Sequence, residues 1–144
     1  MQLTSTIFAL FSTSALAATL STFASTEWTL QSLSRAIDTG DKSVTWKFGI
    51  NTNETGVAIT PCTYTVKAVA PAPATQSNGG PVKCGAFNIT SGWSGQFGPG
   101  QGFTVISVVD YSKKLIVYAG YTDNMVSNNT LVNPNLSFPV QTLQ

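Results

Sequence analysis

Any acid/base chemistry in this chain would have to rest on carboxylates, because its 144 residues include no histidine. That removes Ser-His and Cys-His nucleophile systems and the commonest zinc ligand. Of the six Asp and Glu residues, only Asp38 and Asp41 stand at a spacing that suggests a pair. Asp38-Thr39-Gly40 is the type of turn with which an aspartic protease presents one of two carboxylates that share a proton. Here Asp41 follows where a small residue is expected, no second such turn exists, and an ordinary hairpin turn accounts for the same residues. We therefore expect no catalytic residue, no metal and no cofactor, and read the chain as a binding protein rather than an enzyme.

The most unusual segment is Gly92-Trp93-Ser94-Gly95-Gln96-Phe97-Gly98-Pro99-Gly100-Gln101-Gly102. Its glycine spacing fits neither a dinucleotide fingerprint nor a phosphate-cradling loop, and Ser94 lacks the surroundings of a nucleophile elbow. Two readings remain. In one, the glycines take positive φ and the aromatics plug the core. In the other, Trp93, Ser94, Gln96 and Phe97 form an exposed platform for a glycan, an aromatic small molecule or a protein partner. These four are the candidate contact residues.

Cys62 and Cys84 are the only cysteines. They form either one disulfide, expected to stabilise a small domain by about 3.4 kcal/mol on the chain-entropy account, or two buried thiols. Four Asn-x-Ser/Thr sequons, at Asn53, Asn88, Asn128 and Asn135, are candidate glycosylation sites. Both features suit an extracellular protein. So does the start of the chain, where the first 26 residues carry no charge and an apolar run at Ile7-Phe8-Ala9-Leu10-Phe11 leads to Ala15-Leu16-Ala17. Residues 1–17 read as a signal peptide and 18–144 as one secreted domain, the competing reading being a buried first helix.

The elements that must position these residues are strands. Residues 43–51 alternate Val44, Trp46, Phe48 and Ile50 with polar positions, and residues 62–68 do the same with Cys62, Tyr64 and Val66, which points Cys62 inward. Apolar runs at 103–110 and 115–121 flank Tyr111-Ser112-Lys113-Lys114 as a hairpin, and residues 27–33 and 82–89 read as weaker strands. Turn clusters fall at 38–41, 51–56 and 78–81, and the Pro-rich residues 70–75 form a surface excursion. The tail after Asn124 should be extended and packed on the body through Leu131, Val132, Leu136 and Phe138. The expected fold is all-β, an antiparallel barrel or sandwich of about six to eight strands. Charged residues are only 9% of the chain, the net charge is +1, and the cations are scattered. Nucleic acid and anionic membranes, which call for clustered Lys and Arg, are thereby disfavoured as partners.

Several segments together resemble fungal small secreted proteins that induce a hypersensitive response. They are Trp28-Thr29-Leu30, Thr45-Trp46-Lys47-Phe48-Gly49-Ile50, Cys62-Thr63-Tyr64-Thr65-Val66, Cys84-Gly85, the glycine-rich block through Phe103, Leu115-Ile116-Val117-Tyr118 and Tyr121-Thr122-Asp123. More distantly the pattern is similar to the major Alternaria allergen, a β-barrel. The resemblance implies an elicitor released into the host apoplast that triggers plant defence by binding an extracellular or cell-surface plant protein. It also implies that the Cys62–Cys84 bridge is a family feature, and that relatives carry a second cysteine pair where this chain has Ile37 and Val44. The alternatives are a small barrel carrying a phenolic or apolar metabolite, and a passive cell-wall protein.

Overall fold

The computed structural model describes residues 26–144, so the expected leader, residues 1–17, lies outside the described residues. The chain forms two antiparallel sheets packed face to face, a sandwich rather than a closed barrel. Strands β1 (Glu27–Ile37), β2 (Ser43–Asn51) and β3 (Thr60–Lys67) build most of the first sheet. The second contains β4 (Gly79–Cys84), β5 (Phe87–Ser94), β6 (Phe103–Asp110) and β7 (Leu115–Thr122). Two short strands of the tail, β8 (Leu136–Pro139) and β9 (Gln141–Thr142), join the first and second sheet respectively, giving orders β3-β2-β1-β8 and β4-β5-β6-β7-β9. Among the described residues there are nine strands against the expected six to eight, because the tail, expected to be merely extended, pairs with both sheets.

Period-two patterning becomes the core directly. Val44, Trp46, Phe48 and Ile50 of β2 face Ile89, Ile106, Val108 and Val117 of the other sheet within one buried cluster. Trp28 meets Phe87 across the sandwich edge-to-face at 5.3 Å between ring centroids. In the tail, Val132 is buried and Leu136 and Phe138 are half-buried, but Leu131 is exposed. Ile37 and Val44 are directly opposite one another at the end of the β1–β2 hairpin.

Strand β1 breaks its own alternation. A bulge between Gln31 and Ser34, with Ser32 at φ 50°, adds one residue, so Trp28 and Leu30 before it and Leu33 and Arg35 after it all face inward. The tail then latches this strand. The Asn135 Oδ1 accepts from the Ser32 amide at 2.9 Å, the Asn128 Oδ1 accepts from the Ile37 amide at 2.8 Å, and the Val132 amide donates to the Leu33 carbonyl at 2.8 Å.

Two expectations are corrected. Residues 82–89 are not one strand: Gly85, at φ 56°, and Ala86 turn the chain between Cys84 and Phe87, making β4 and β5 a hairpin. Residues 79–81 are not a turn but part of β4, where the Gly80 backbone lies so close to β5 that a Cβ would stand 2.3 Å from the Ile89 carbonyl oxygen. Pro61 and Pro81 sit on the edge strands β3 and β4, the positions in a sheet that tolerate a missing N–H.

Cys62 and Cys84 are bonded, with Cα atoms 5.3 Å apart, and the bond joins the edge strand of one sheet to the edge strand of the other. At the opposite seam the chain itself crosses from β8 to β9. Reduction therefore opens one of two seams, and a melt with reductant should fall by about 10 °C or more, in line with about 3 kcal/mol. An unchanged melt would show that the seam holds without the bond.

The turns carry a pH signature. Asp38 caps the β1–β2 turn, accepting from the Ser43 and Lys42 amides, and the Ser43 amide in particular holds its pKa below the ordinary 3.8. At Asp110, burial pushes the pKa up, but hydrogen bonds from the Ser112 hydroxyl and the Lys113 and Ser112 amides outweigh it, for a net lowering. A lowered folded-state pKa means stability that is complete above about pH 4 and drains as pH falls through the folded values. Asp110→Asn should lower stability at neutral pH and flatten the stability profile between about pH 4 and 2, checked by denaturant melts across that range.

Candidate functional site

The glycine-rich segment is the β5–β6 hairpin. Trp93 and Ser94 end β5 opposite Thr104 and Phe103, and residues 95–102 form the connection. Two successive turns shape it, with the Gly98 amide donating to the Gly95 carbonyl at 3.0 Å and the Gln101 amide to the Gly98 carbonyl at 3.1 Å. The Ser94 hydroxyl oxygen accepts from the Gln96 amide at 3.3 Å, which ties Ser94 to the loop backbone. Gln96 and Phe97 are exposed.

Trp93 and Phe97 have opposite roles. The Trp93 indole is half-buried and its Nε1 donates to Asp123 Oδ2 at 3.0 Å. A Cβ on Gly95 would stand 2.5 Å from the ring, and one on Gly102 would stand 2.3 Å from Asp123 Oδ2 and 2.8 Å from Trp93 Nε1. Those two glycines leave room for the indole and its carboxylate partner, and positive φ is confined to Gly98 and Gly100 of the block. Phe97, by contrast, is 69% exposed, with its ring stacked on Phe103 at 5.7 Å.

Asp123 is the hinge between this loop and the core. Its Oδ1 pairs with Arg35 Nη1 at 3.2 Å. Arg35 is 4% exposed, donates from Nε to the Val126 carbonyl at 2.8 Å, and lies 5.6 Å over the Trp46 ring. Neither Arg35 nor Asp123 is conspicuous in the sequence as a site residue. Parity with Trp28 and Leu30 places Arg35 on the outer face, and only the Ser32 bulge turns it inward.

The loop stands between two hollows. On one side is an open cavity of about 380 Å³ with a mixed polar and apolar lining, bounded by Trp93 and the loop glycines, by Gln76 of the 3-10 turn Ala74–Gln76, and by Asp123 and Asn124 after β7. On the other is an apolar groove of about 350 Å³ between Phe97, Phe103, Gly120 and Met125. Trp93 lines the first and Phe97 the second.

The carboxylates first weighed for catalysis are engaged by backbone. Asp38 holds its own turn, while Asp41 accepts from the Thr75 amide and hydroxyl and so fastens the Pro-rich excursion to the β1–β2 turn. Among the sequons, Asn53 donates from Nδ2 to the Glu27 carbonyl at 3.0 Å and to the Thr29 hydroxyl at 2.9 Å. Asn128 and Asn135 hold β1 through Oδ1, and Asn88 lies half-buried in β5.

The family model described as Effector TSP1 matches residues 29–143. This chain belongs to the Effector TSP1 family. It is 51% identical over 112 residues to Effector TSP1 of Hypocrea virens (strain Gv29-8 / FGSC 10586), covering 78% of this chain and 74% of that protein. The match begins within β1 and ends in the tail beyond β9, so it takes in the disulfide, the glycine hairpin and the Arg35–Asp123 pair of this TSP1-family chain.

Because Arg35 is buried, deleting its partner strands a charge. Asp123→Ala should cost about 2–3 kcal/mol, somewhat less than a fully buried pair, since the carboxylate is partly solvated. Phe97→Ser should stay within about 0.5 kcal/mol of wild type. Urea melts of both check this, and an Asp123→Ala protein as stable as wild type would show that water satisfies Arg35.

Proposed function

We propose that this TSP1-family protein is a secreted fungal elicitor, acting by binding and not by catalysis. It engages an extracellular or cell-surface plant protein and triggers a hypersensitive response and defence. Family membership supports the effector role. The observation that carries the contact surface is Phe97, an exposed aromatic on a glycine hairpin whose base is pinned through Trp93 and Asp123. Exposed aromatics dominate binding energy at protein interfaces, and a loop held in place before contact loses less entropy on binding. The groove beside Phe97 also supports the small-ligand alternative, relocated to the protein's outside, because the space between the sheets is occupied by packed side chains.

Purified protein infiltrated into leaves should cause local cell death and defence-gene induction at micromolar dose. Phe97→Ser, folded and equally stable, should need at least about tenfold more protein, the loss of one aromatic hot spot. Inert wild-type protein would end the elicitor reading. Undiminished activity in Phe97→Ser would move the contact surface elsewhere.

A further inference from the structure

The hollow behind the loop, which combines an indole with a few polar side chains, has a chemistry that Phe97 does not explain. We infer that it is a saccharide subsite for a neutral oligosaccharide of a cell wall. This rests on the binding role proposed above and names a ligand class for the same loop. The volume, about 380 Å³, falls within the range of small-molecule sites. One wall is the Trp93 indole, whose only polar atom is committed to Asp123, so the ring offers carbon surface to the C–H face of a pyranose.

The polar groups suit hydroxyls. Asp123 spends one hydrogen bond per carboxylate oxygen on Trp93 and Arg35, and with a side chain 34% exposed it keeps lone pairs for a sugar O–H. Gln76 and Asn124 line the hollow, and their carboxamides make no side-chain hydrogen bond among the described residues, so each is free both to donate and to accept, as a hydroxyl does. No Lys or Arg lines the cavity, and Arg35 behind Asp123 is buried and already paired, so a uronate or phosphate would find no free cation to meet its charge. At the rim, a Cβ on Gly98 or Gly100 would touch nothing within 4 Å, which leaves the mouth open to a chain longer than the cavity.

The three tryptophans provide a direct readout, because Trp28 and Trp46 are buried at 1% and 3% exposure and only Trp93 is within reach of a ligand. The intact protein would be titrated with cellohexaose, xylohexaose, laminarihexaose, chitohexaose and hexagalacturonate while emission is followed. At least one neutral series should give a saturable change, and hexagalacturonate should give none. The double variant Gln76→Ala/Asn124→Ala should weaken that binding about tenfold with an unchanged melt. A flat response to every neutral sugar, a response to the galacturonate alone, or undiminished binding by the double variant would overturn the subsite. Leaf infiltration separates the two readings: defence responses without any sugar response retire the subsite alone, whereas sugar binding by a protein inert on leaves retires the elicitor role and keeps the subsite.

Discussion

A single buried guanidinium sets much of this architecture. Bringing a cation into a sandwich of aliphatic and aromatic side chains is costly unless its charge and its N–H groups are met. Arg35 meets both demands with the Asp123 carboxylate, the Val126 carbonyl and the Trp46 ring. Each partner fixes something else. Val126 lies at the start of the tail, Trp46 is the cross-strand neighbour of Arg35 on β2, and Asp123 directly follows β7 and holds the indole of Trp93. The end of one hairpin, the start of the tail and the base of the glycine loop therefore share one electrostatic anchor.

A sandwich of two separate sheets also has seams to close, and this one closes them by different means. At β3 and β4, two proline-containing edge strands are joined covalently. At β8 and β9, the tail pairs with each sheet in turn, and before that it satisfies the β1 groups that the bulge leaves out of the ladder. Asparagines do much of this work. Three of the four sequon asparagines hydrogen-bond to backbone of β1, so the Asn, Ser and Thr content of a nearly uncharged chain serves structure as well as solubility.

Alternation along β2 and β3, and the apolar runs of β6 and β7, were legible because a half-buried strand leaves a period-two record. The inward direction of Cys62 followed from the same record. What escaped is whatever depends on a single backbone residue or on how sheets meet. One extra residue at Ser32 inverts the parity of β1 and hides Arg35. A two-residue turn at Gly85 and Ala86 splits what looks like one strand. The disulfide was readable as a pair, but its joining of the two sheets was not, because spacing carries no information about which sheet an edge strand joins.

The glycine hairpin shows why composition alone left two readings open. Glycine serves two ends here: Gly95 and Gly102 make room for an indole and its carboxylate, whereas Gly98 and Gly100 adopt positive φ in open space. The first pair implies a fixed base and the second a tightly turned tip, so a glycine-rich segment need not be a loose one. An aromatic at such a tip is presented in a defined place, and its stacking partner Phe103 belongs to the adjacent strand β6 rather than to the loop. Within this one segment, Trp93 thus supplies the footing that gives Phe97 a fixed position.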